Sequence, residues 1–381
     1  MPSFAPVVKL LRELVARPSV NPSLLPDRPD LSGEERVAEF LSDLAVKRGL
    51  SVSRQAVLPG RRNLLVRLLP TGKVKHRILL APHMDVVPAE EKHFRPCISK
   101  NRLHGRGACD TKGSIASFFQ ALLDLASDSP KARPAHTEIV FAGLVDEEWC
   151  QAGSRRLGER GPKADLAIAG EPTLLQIVTA HKGNLWLRLE TRGRAAHGST
   201  PQLGKNAVLP MARISEVLLT EYADQLSELR HPLLGSPTIN LGLIHGGTQP
   251  NVVPPSCFIE LDRRTLPGET EASVLSEMHA LLKKHGLPRP AITESRGVPC
   301  PPLDTNPDLP LVHQFLRTAK RRKPRGVPYF TDASPIAMGG TPAIVFGPGD
   351  IAQAHVADEY LDLDQLTQAH AIVLNFLKNQ P

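Results

Sequence analysis

Between residues 76 and 88 the chain passes from an unbroken apolar run to a pair of polar side chains. Ile78, Leu79, Leu80 and Ala81 lead into Pro82, and His83 and Asp85 follow with Met84 between them. A run apolar at every position, rather than at every second one, predicts a strand covered on both faces. Residues two apart in an extended chain point to the same side, so His83 and Asp85 can meet just past the strand's end. Further strands are predicted over 63–69, 138–145, 164–169 and 343–346. Amphipathic helices are predicted over 7–17, 34–49, 113–126, 309–319 and 363–378. In the third of these, Ile115, Phe118, Phe119, Leu122 and Leu123 form one apolar stripe, and Ser32-Gly33-Glu34-Glu35 gives the second a start signal. Strands and helices alternating in this way predict an α/β fold, a mostly parallel sheet with helices on both faces.

The pattern changes near residue 177. Stretches 177–189, 239–244 and 257–263 look like half-exposed strands, with helices at about 205–229 and 271–285. From about residue 296 the α/β character returns. The expected organisation is a catalytic domain in two parts, 1–178 and 295–381, with an α+β domain inserted at 179–294. A chain of 381 residues is long for one hydrophobic core, which agrees with two domains.

Composition narrows the class of function. No window approaches the roughly 18 consecutive apolar residues that a membrane span needs. The first predicted helix carries charges and lacks the apolar core of a signal peptide, so a cytoplasmic protein is expected. The net charge of +7 owes much to residues 317–325, which hold Arg317, Lys320, Arg321, Arg322, Lys323 and Arg325. With 4% aromatics and no nucleic-acid fold signature, this run reads as a solvated helix C-terminus, and no nucleic-acid partner is expected. A modest positive field favours anionic small substrates. The five scattered cysteines show no CxxC or finger spacing, which excludes a disulfide framework and a structural zinc site.

Four further polar clusters stand where predicted strands end or helices begin. Asp110 lies in Gly105-Arg106-Gly107-Ala108-Cys109-Asp110-Thr111-Lys112-Gly113, ahead of the helix at 113. Asp146-Glu147-Glu148 follows the strand ending at Val145, Glu171 follows the strand ending at Ala169, and His355 lies downstream of the strand at 343–346. Taken singly, each has an ordinary structural reading: a surface turn, an N-cap, a solvated acidic turn. Together they bring two histidines and at least three carboxylates to the strand ends of one sheet, where open α/β sheets place their chemistry. That ligand set suits a hydrolytic site with two metal ions. Three carboxylates and a bridging hydroxide would neutralise two divalent ions. HExxH, GxSxG, Walker and GxGxxG motifs are absent.

The ordered set His83-x-Asp85, Gly105-Arg106-Gly107-x-Cys109-Asp110-x-Lys112-Gly113, Asp146-Glu147-Glu148, Gly170-Glu171-Pro172 and His355 resembles the acetylornithine deacetylase / succinyl-diaminopimelate desuccinylase / carboxypeptidase G family of dinuclear zinc hydrolases. The resemblance runs over nearly the whole chain. It implies a zinc-exopeptidase-like catalytic domain and a ferredoxin-like inserted domain that serves as lid and homodimer interface. It further implies that Asp110 bridges two ions, with His83 and Glu171 completing one site and Glu148 and His355 the other. Zinc is the expected metal and cobalt the alternative. Asp85 would support His83, and Glu147 would be general base and then acid. A non-proline cis peptide is often found just after the bridging aspartate.

By the same resemblance, His197 in Gly193-Arg194-Ala195-Ala196-His197-Gly198-Ser199 is the lid histidine that holds the oxyanion. Asn251 and Arg263 would bind substrate, Arg263 through its α-carboxylate, although strand alternation leaves open whether Arg263 or Arg264 faces inward. Gly170-Glu171-Pro172-Thr173, Ala180-His181-Lys182-Gly183, and Gly347-Pro348-Gly349-x-Ile351-x-Gln353-Ala354-His355 leading to Asp358-Glu359-Tyr360 look more like the acetylornithine deacetylase branch. Met84, and Phe330 ahead of Thr331-Asp332-Ala333, depart from the family's usual residues. The implied reaction is hydrolysis of an N-acyl amino acid, Nα-acetyl-L-ornithine first, within arginine biosynthesis. Succinyl-diaminopimelate, a dipeptide or a C-terminal glutamate are alternative substrates, and a catalytically dead binding protein is the alternative of another class.

Overall fold

The structure, a computed structural model, describes residues 4–127, 133–294 and 297–381. It divides into two compact units. One takes the chain up to Thr179 with Thr305–Arg325 and Thr331–Pro381, and the other takes Ala180–Asp304 with Gly326–Phe330. The expected boundary after residue 294 falls against residues 295–296, outside the described residues.

The first unit is built on a mixed sheet. Its strands stand in the order Ser51–Leu58, Arg61–Leu68, Thr137–Gly143, His76–Pro82, Leu166–Gly170 and Ala343–Phe346. The first two pair antiparallel with each other, and Arg61–Leu68 pairs antiparallel with Thr137–Gly143. The remaining pairings in this order are parallel. The four parallel strands are nearly all apolar, and Ile78–Ala81, Thr137–Gly143 and Ala343–Phe346 are buried along their whole length. Helix Pro6–Val15 turns an apolar stripe to this core, Lys112–Ser127 is buried on nearly all sides rather than on the one expected stripe, and Leu363–Lys378 closes the core. Phe315 meets Phe346 and Phe376 edge-on, with centroids 5.0 and 4.8 Å away. Close approach requires a glycine at 170: a Cβ there would lie 2.7 Å from that of Ser114 and 2.8 Å from that of Pro82.

The second unit runs strand, helix, strand, strand, helix, strand. Its antiparallel sheet has the order Thr238–Gly246, Ser256–Thr265, Gly183–Arg192 and Ala291–Glu294. This is the ferredoxin-like arrangement. In Ser256–Thr265 alternate residues are buried, and Cys257, Ile259 and Leu261 pack with Met211, Ile214, Val274 and Met278 from the helices.

Two local expectations are corrected. Residues 177–189 are not one strand: Val178–His181 and Gly183–Arg192 are separate, and only the latter pairs with Ser256–Thr265. Ser32 does not cap the second helix. Its hydroxyl donates to the Leu25 carbonyl oxygen, and the N-cap position falls to Glu34 without a side-chain cap bond.

Candidate metal centre

Five segments carry the candidate residues of the first unit to the C-terminal ends of the parallel strands. His83 directly follows His76–Pro82, Glu171 directly follows Leu166–Gly170, and Asp146-Glu147-Glu148 comes three residues after Gly143. Asp110 precedes the helix Lys112–Ser127, with a cis peptide bond between Asp110 and Thr111. His355 sits in the loop after Ala343–Phe346, at φ 64°.

Two trios of ligand atoms result, each within 4.8 Å of one another: His83, Asp110 and Glu171, and Asp110, Glu148 and His355. Asp110 belongs to both. His83 Nε2 lies 3.2 Å from Asp110 Oδ1 and 3.8 Å from Glu171 Oε1. His355 Nε2 lies 3.3 Å from Asp110 Oδ2 and 3.1 Å from Glu148 Oε2. The five residues that the sequence grouped as ligands therefore come together. Glu147 is buried beside them, its N–H donating to Asp85 Oδ1 at 3.2 Å.

Asp85 does more than stand behind His83. The Nδ1 of His83 lies 3.0 Å from the carbonyl oxygen of Asp85 and 3.5 Å from its Oδ1. In the neutral ring, donation to that carbonyl puts the proton on Nδ1 and leaves the Nε2 lone pair facing Asp110 and Glu171. The Asp85 carboxylate meanwhile accepts from the N–H groups of Glu147 and Glu148 and, at 2.7 Å, from Asn21 Nδ2. It thus organises the acidic turn. Asp146, at φ 71°, is held from the other side by Arg61 Nη1 at 2.7 Å and Asn21 at 3.2 Å, and Arg61 also pairs with Glu34.

Sequence reasoning missed Asn21, Glu34 and Arg61. Each acts through tertiary contact, and only Glu34 stood in a local pattern, as part of a helix start signal. It also left Asp332 without a role. This carboxylate is buried, accepts from Ser154 Oγ through Oδ1, and is pushed up to about 7 by burial.

The electrostatics show a centre short of positive charge. Burial raises Glu147, Glu148 and Glu171 above the usual carboxylate range. Hydrogen bonds to Asp110 and Glu148 push His355 up to about 10. Burial opposes charging of His83, yet Asp110, Asp85 and the neighbouring acids hold it well above its usual value. Glu148 Oε1 is buried with no hydrogen-bond partner. Cations would relieve both conditions, so the donor set, two imidazoles and three carboxylates, fits a pair of divalent ions.

The other candidates lie in the second unit. His197 and Asn251 are exposed on adjoining loops: His197 bridges to Val252, and the Gly198 N–H donates to the Asn251 carbonyl at 2.7 Å. Beside them opens a cavity of about 610 Å³ lined by Gly198, Asn206, Gly246, Thr248, Gln249 and Val253 among others. His197 Nδ1 accepts from the Ser199 N–H at 3.2 Å and lies 2.7 Å from its hydroxyl, so the neutral ring carries its proton on Nε2, free to donate.

Arg263 is a correction. It is fully buried, with its guanidinium paired to Glu269, donating to the Arg264 carbonyl and 3.4 Å from Tyr222 Oη. It shares the covered face of its strand with Ile259 and Leu261, so no side of it is left for a substrate carboxylate. Arg264 is half-buried and pairs with Asp262.

A mixed α/β sheet with such a donor set at its strand ends suits a metal-dependent hydrolase. The model of Peptidase family M20/M25/M40 matches residues 79–379, and the chain belongs to that family. An acetylornithine deacetylase of Vibrio cholerae serotype O1 is 32% identical over 339 residues, spanning 86% of this chain and 87% of its own. One from Edwardsiella ictaluri is 32% identical over 394 residues, spanning 99% and 97%. Among solved structures, an M20 family metallo-carboxypeptidase of Sulfolobus solfataricus superposes with a TM-score of 0.77 at 20% identity, covering 98% of this chain and 99% of its own. A dinuclear metal-binding M20 peptidase of Bacillus subtilis gives 0.71 at 13% identity, covering 98% and 96%. The protein is a hydrolytic enzyme of amide or peptide bonds. No described helix is long and apolar enough to cross a membrane.

Proposed function

We propose that the enzyme hydrolyses Nα-acetyl-L-ornithine to acetate and ornithine, with His83, Asp110 and Glu171 holding one divalent cation and Asp110, Glu148 and His355 a second. The observation that carries the reading is the pair of ligand trios sharing Asp110, with Glu147 buried beside them. The branch-like motifs and the two deacetylase relatives support the choice of substrate. Mixed imidazole and carboxylate ligands suit zinc, with cobalt as the alternative.

The ions would supply Lewis-acid polarisation of the amide carbonyl and acidify water. A carboxylate oxygen of Glu147 takes the proton from the attacking water as the new C–O bond forms. It then delivers that proton to the departing nitrogen as the C–N bond breaks. Asp85 keeps the backbone of Glu147 and Glu148 in register through this exchange. His197, as a lid residue, would donate its Nε2–H to the developing oxyanion. The edge strand Thr238–Gly246 exposes Leu243 and Ile244, and an unpaired apolar edge favours pairing with a second copy of the chain. A homodimer is proposed on that ground, and a monomeric mass in light scattering would remove it.

The deciding experiment is a substrate panel on protein reconstituted with Zn²⁺ or Co²⁺: Nα-acetylornithine, N-succinyl-diaminopimelate, dipeptides and peptides ending in glutamate. The expected result is chelator-sensitive turnover, with kcat/KM for acetylornithine at least about tenfold above the others. A higher value for another member reassigns the substrate. No chelator-sensitive turnover on any of them favours a binding protein.

A further inference from the structure

Four hydrogen bonds converge on one buried carboxylate that no part of the mechanism above uses. Glu359 is 2% exposed. Its Oε1 accepts from the N–H of Cys109 at 2.8 Å and of Asp110 at 3.0 Å. Its Oε2 accepts from the Gly107 N–H at 2.9 Å and from Arg106 Nη1 at 2.6 Å. The Gly105 N–H adds a fifth bond, to the Glu359 carbonyl oxygen at 3.0 Å. Strand Tyr360–Asp362 then pairs with Arg102–His104, so the two segments are strapped side by side.

The loop held in this way is the one that presents Asp110. At φ 82°, Gly107 takes a backbone conformation open to glycine and strained for other residues. Three of the loop's amides, those of Gly107, Cys109 and Asp110, find their partner in one side chain, while the Arg106 and Ala108 N–H groups donate to the carbonyls of His93 and Gly105. Four residues before Glu359 stands His355, whose Nε2 faces Asp110 and Glu148. One short segment therefore supplies a candidate ligand and also fixes the carboxylate shared by both trios. Ligand sets work within about half an ångström, and residues that orient ligands commonly carry 10–100-fold of metal affinity.

We propose that Glu359 is a positioning residue for the metal pair: by gathering the amides of Gly107, Cys109 and Asp110, it sets the Asp110 carboxylate and locks it to His355. The inference rests on the reading that Asp110 and His355 hold cations. A carboxylate is needed because both of its oxygens accept two donors each. The amide of a glutamine has one acceptor oxygen, and its NH₂ would confront two N–H donors.

The test strips the full chain with chelator and titrates it with Zn²⁺, and separately with Co²⁺ followed by visible absorption. Glu359→Gln should bind at least one ion about 10–100-fold more weakly and give an altered Co²⁺ band, and kcat should fall while KM changes little. Glu359→Asp, which keeps both oxygens, should recover part of the affinity. If Glu359→Gln does not fold, Glu359→Asp decides: weakened binding supports the proposal and unchanged binding overturns it. A folded Glu359→Gln variant with wild-type affinities and spectrum overturns the inference alone, whatever its melting temperature. A wild-type chain that binds neither ion overturns the metal reading itself, and this inference with it.

Discussion

The two units put charged side chains to opposite uses. In the first, His83, Asp85, Asp110, Glu147 and Glu171 are all buried together, and the carboxylates among them repel one another unless cations join them. In the second, His197 and Asn251 stand exposed on loops, and a fully buried charge, Arg263, is answered by Glu269 within the same unit. Burial of ionisable groups therefore means different things in the two halves. Where acids outnumber their partners and converge, burial marks a site; where a single cation meets a single acid, it marks a core. Substitutions should separate these cases, by losing turnover or metal in one unit and stability in the other.

The largest effect is expected at Glu147. Glu147→Gln keeps the shape but cannot take a proton, and kcat should fall by about 10³-fold while two ions remain bound. A drop of less than tenfold, with metal content checked by elemental analysis, would remove Glu147 from the role of base. Next comes the exposed counterpart. His197→Ala should lower kcat by about 10²-fold and leave metal affinity untouched, and loss of metal in this variant would erase the contrast between the units. Arg263→Met should act on folding instead. It leaves Glu269 without its cation and is expected to cost about 3 kcal/mol in denaturant unfolding, with KM unchanged. A raised KM at wild-type stability would return Arg263 to the substrate site.

The smallest effect is a matter of pH. Burial lowers His181 to about 4; its Nδ1 lies 2.9 Å from the Lys182 carbonyl, and its Nε2 has no partner. The unfolded chain therefore binds a proton that the folded chain refuses between pH about 6.5 and about 4. Stability due to this group is complete above that window and falls as pH drops through it, by about 1.4 kcal/mol at pH 5.5. His181→Gln should flatten that part of the unfolding profile, and an unchanged slope would show that the ring is not buried neutral.

Much of the first unit could be read from the chain because its signals are local. Strands buried on both faces write themselves as runs such as Ile78–Ala81, and the polar residues after them fall at the ends that the sheet brings together. The strand Ser51–Leu58 escaped notice because it lies half-exposed and carries no clean apolar alternation. Residues 177–189 read as one strand although the polar stretch His181-Lys182-Gly183-Asn184 interrupts the apolar pattern where the pairing partner changes. Two adjacent arginines at 263 and 264 leave strand alternation undecided, and burial alone tells them apart. Of the supports of the centre, Asn21 and Arg61 could not be read at all, and Glu359 stood in a branch-like motif without a role. Their partners lie 64, 85 and up to 253 residues away, and nothing in a local pattern encodes such distances.

That last separation bears on how the protein is made. Arg106 and Glu359 are 253 residues apart, and His355 comes almost as late. A chain emerging from the ribosome presents His83, Asp110 and Glu171 long before the segment that completes the second trio and clamps the Asp110 loop. Closure of so long a loop is among the slower events of folding. A product cut short before residue 355 would lack His355 and Glu359, and with them one of the two candidate trios and the clamp on the Asp110 loop.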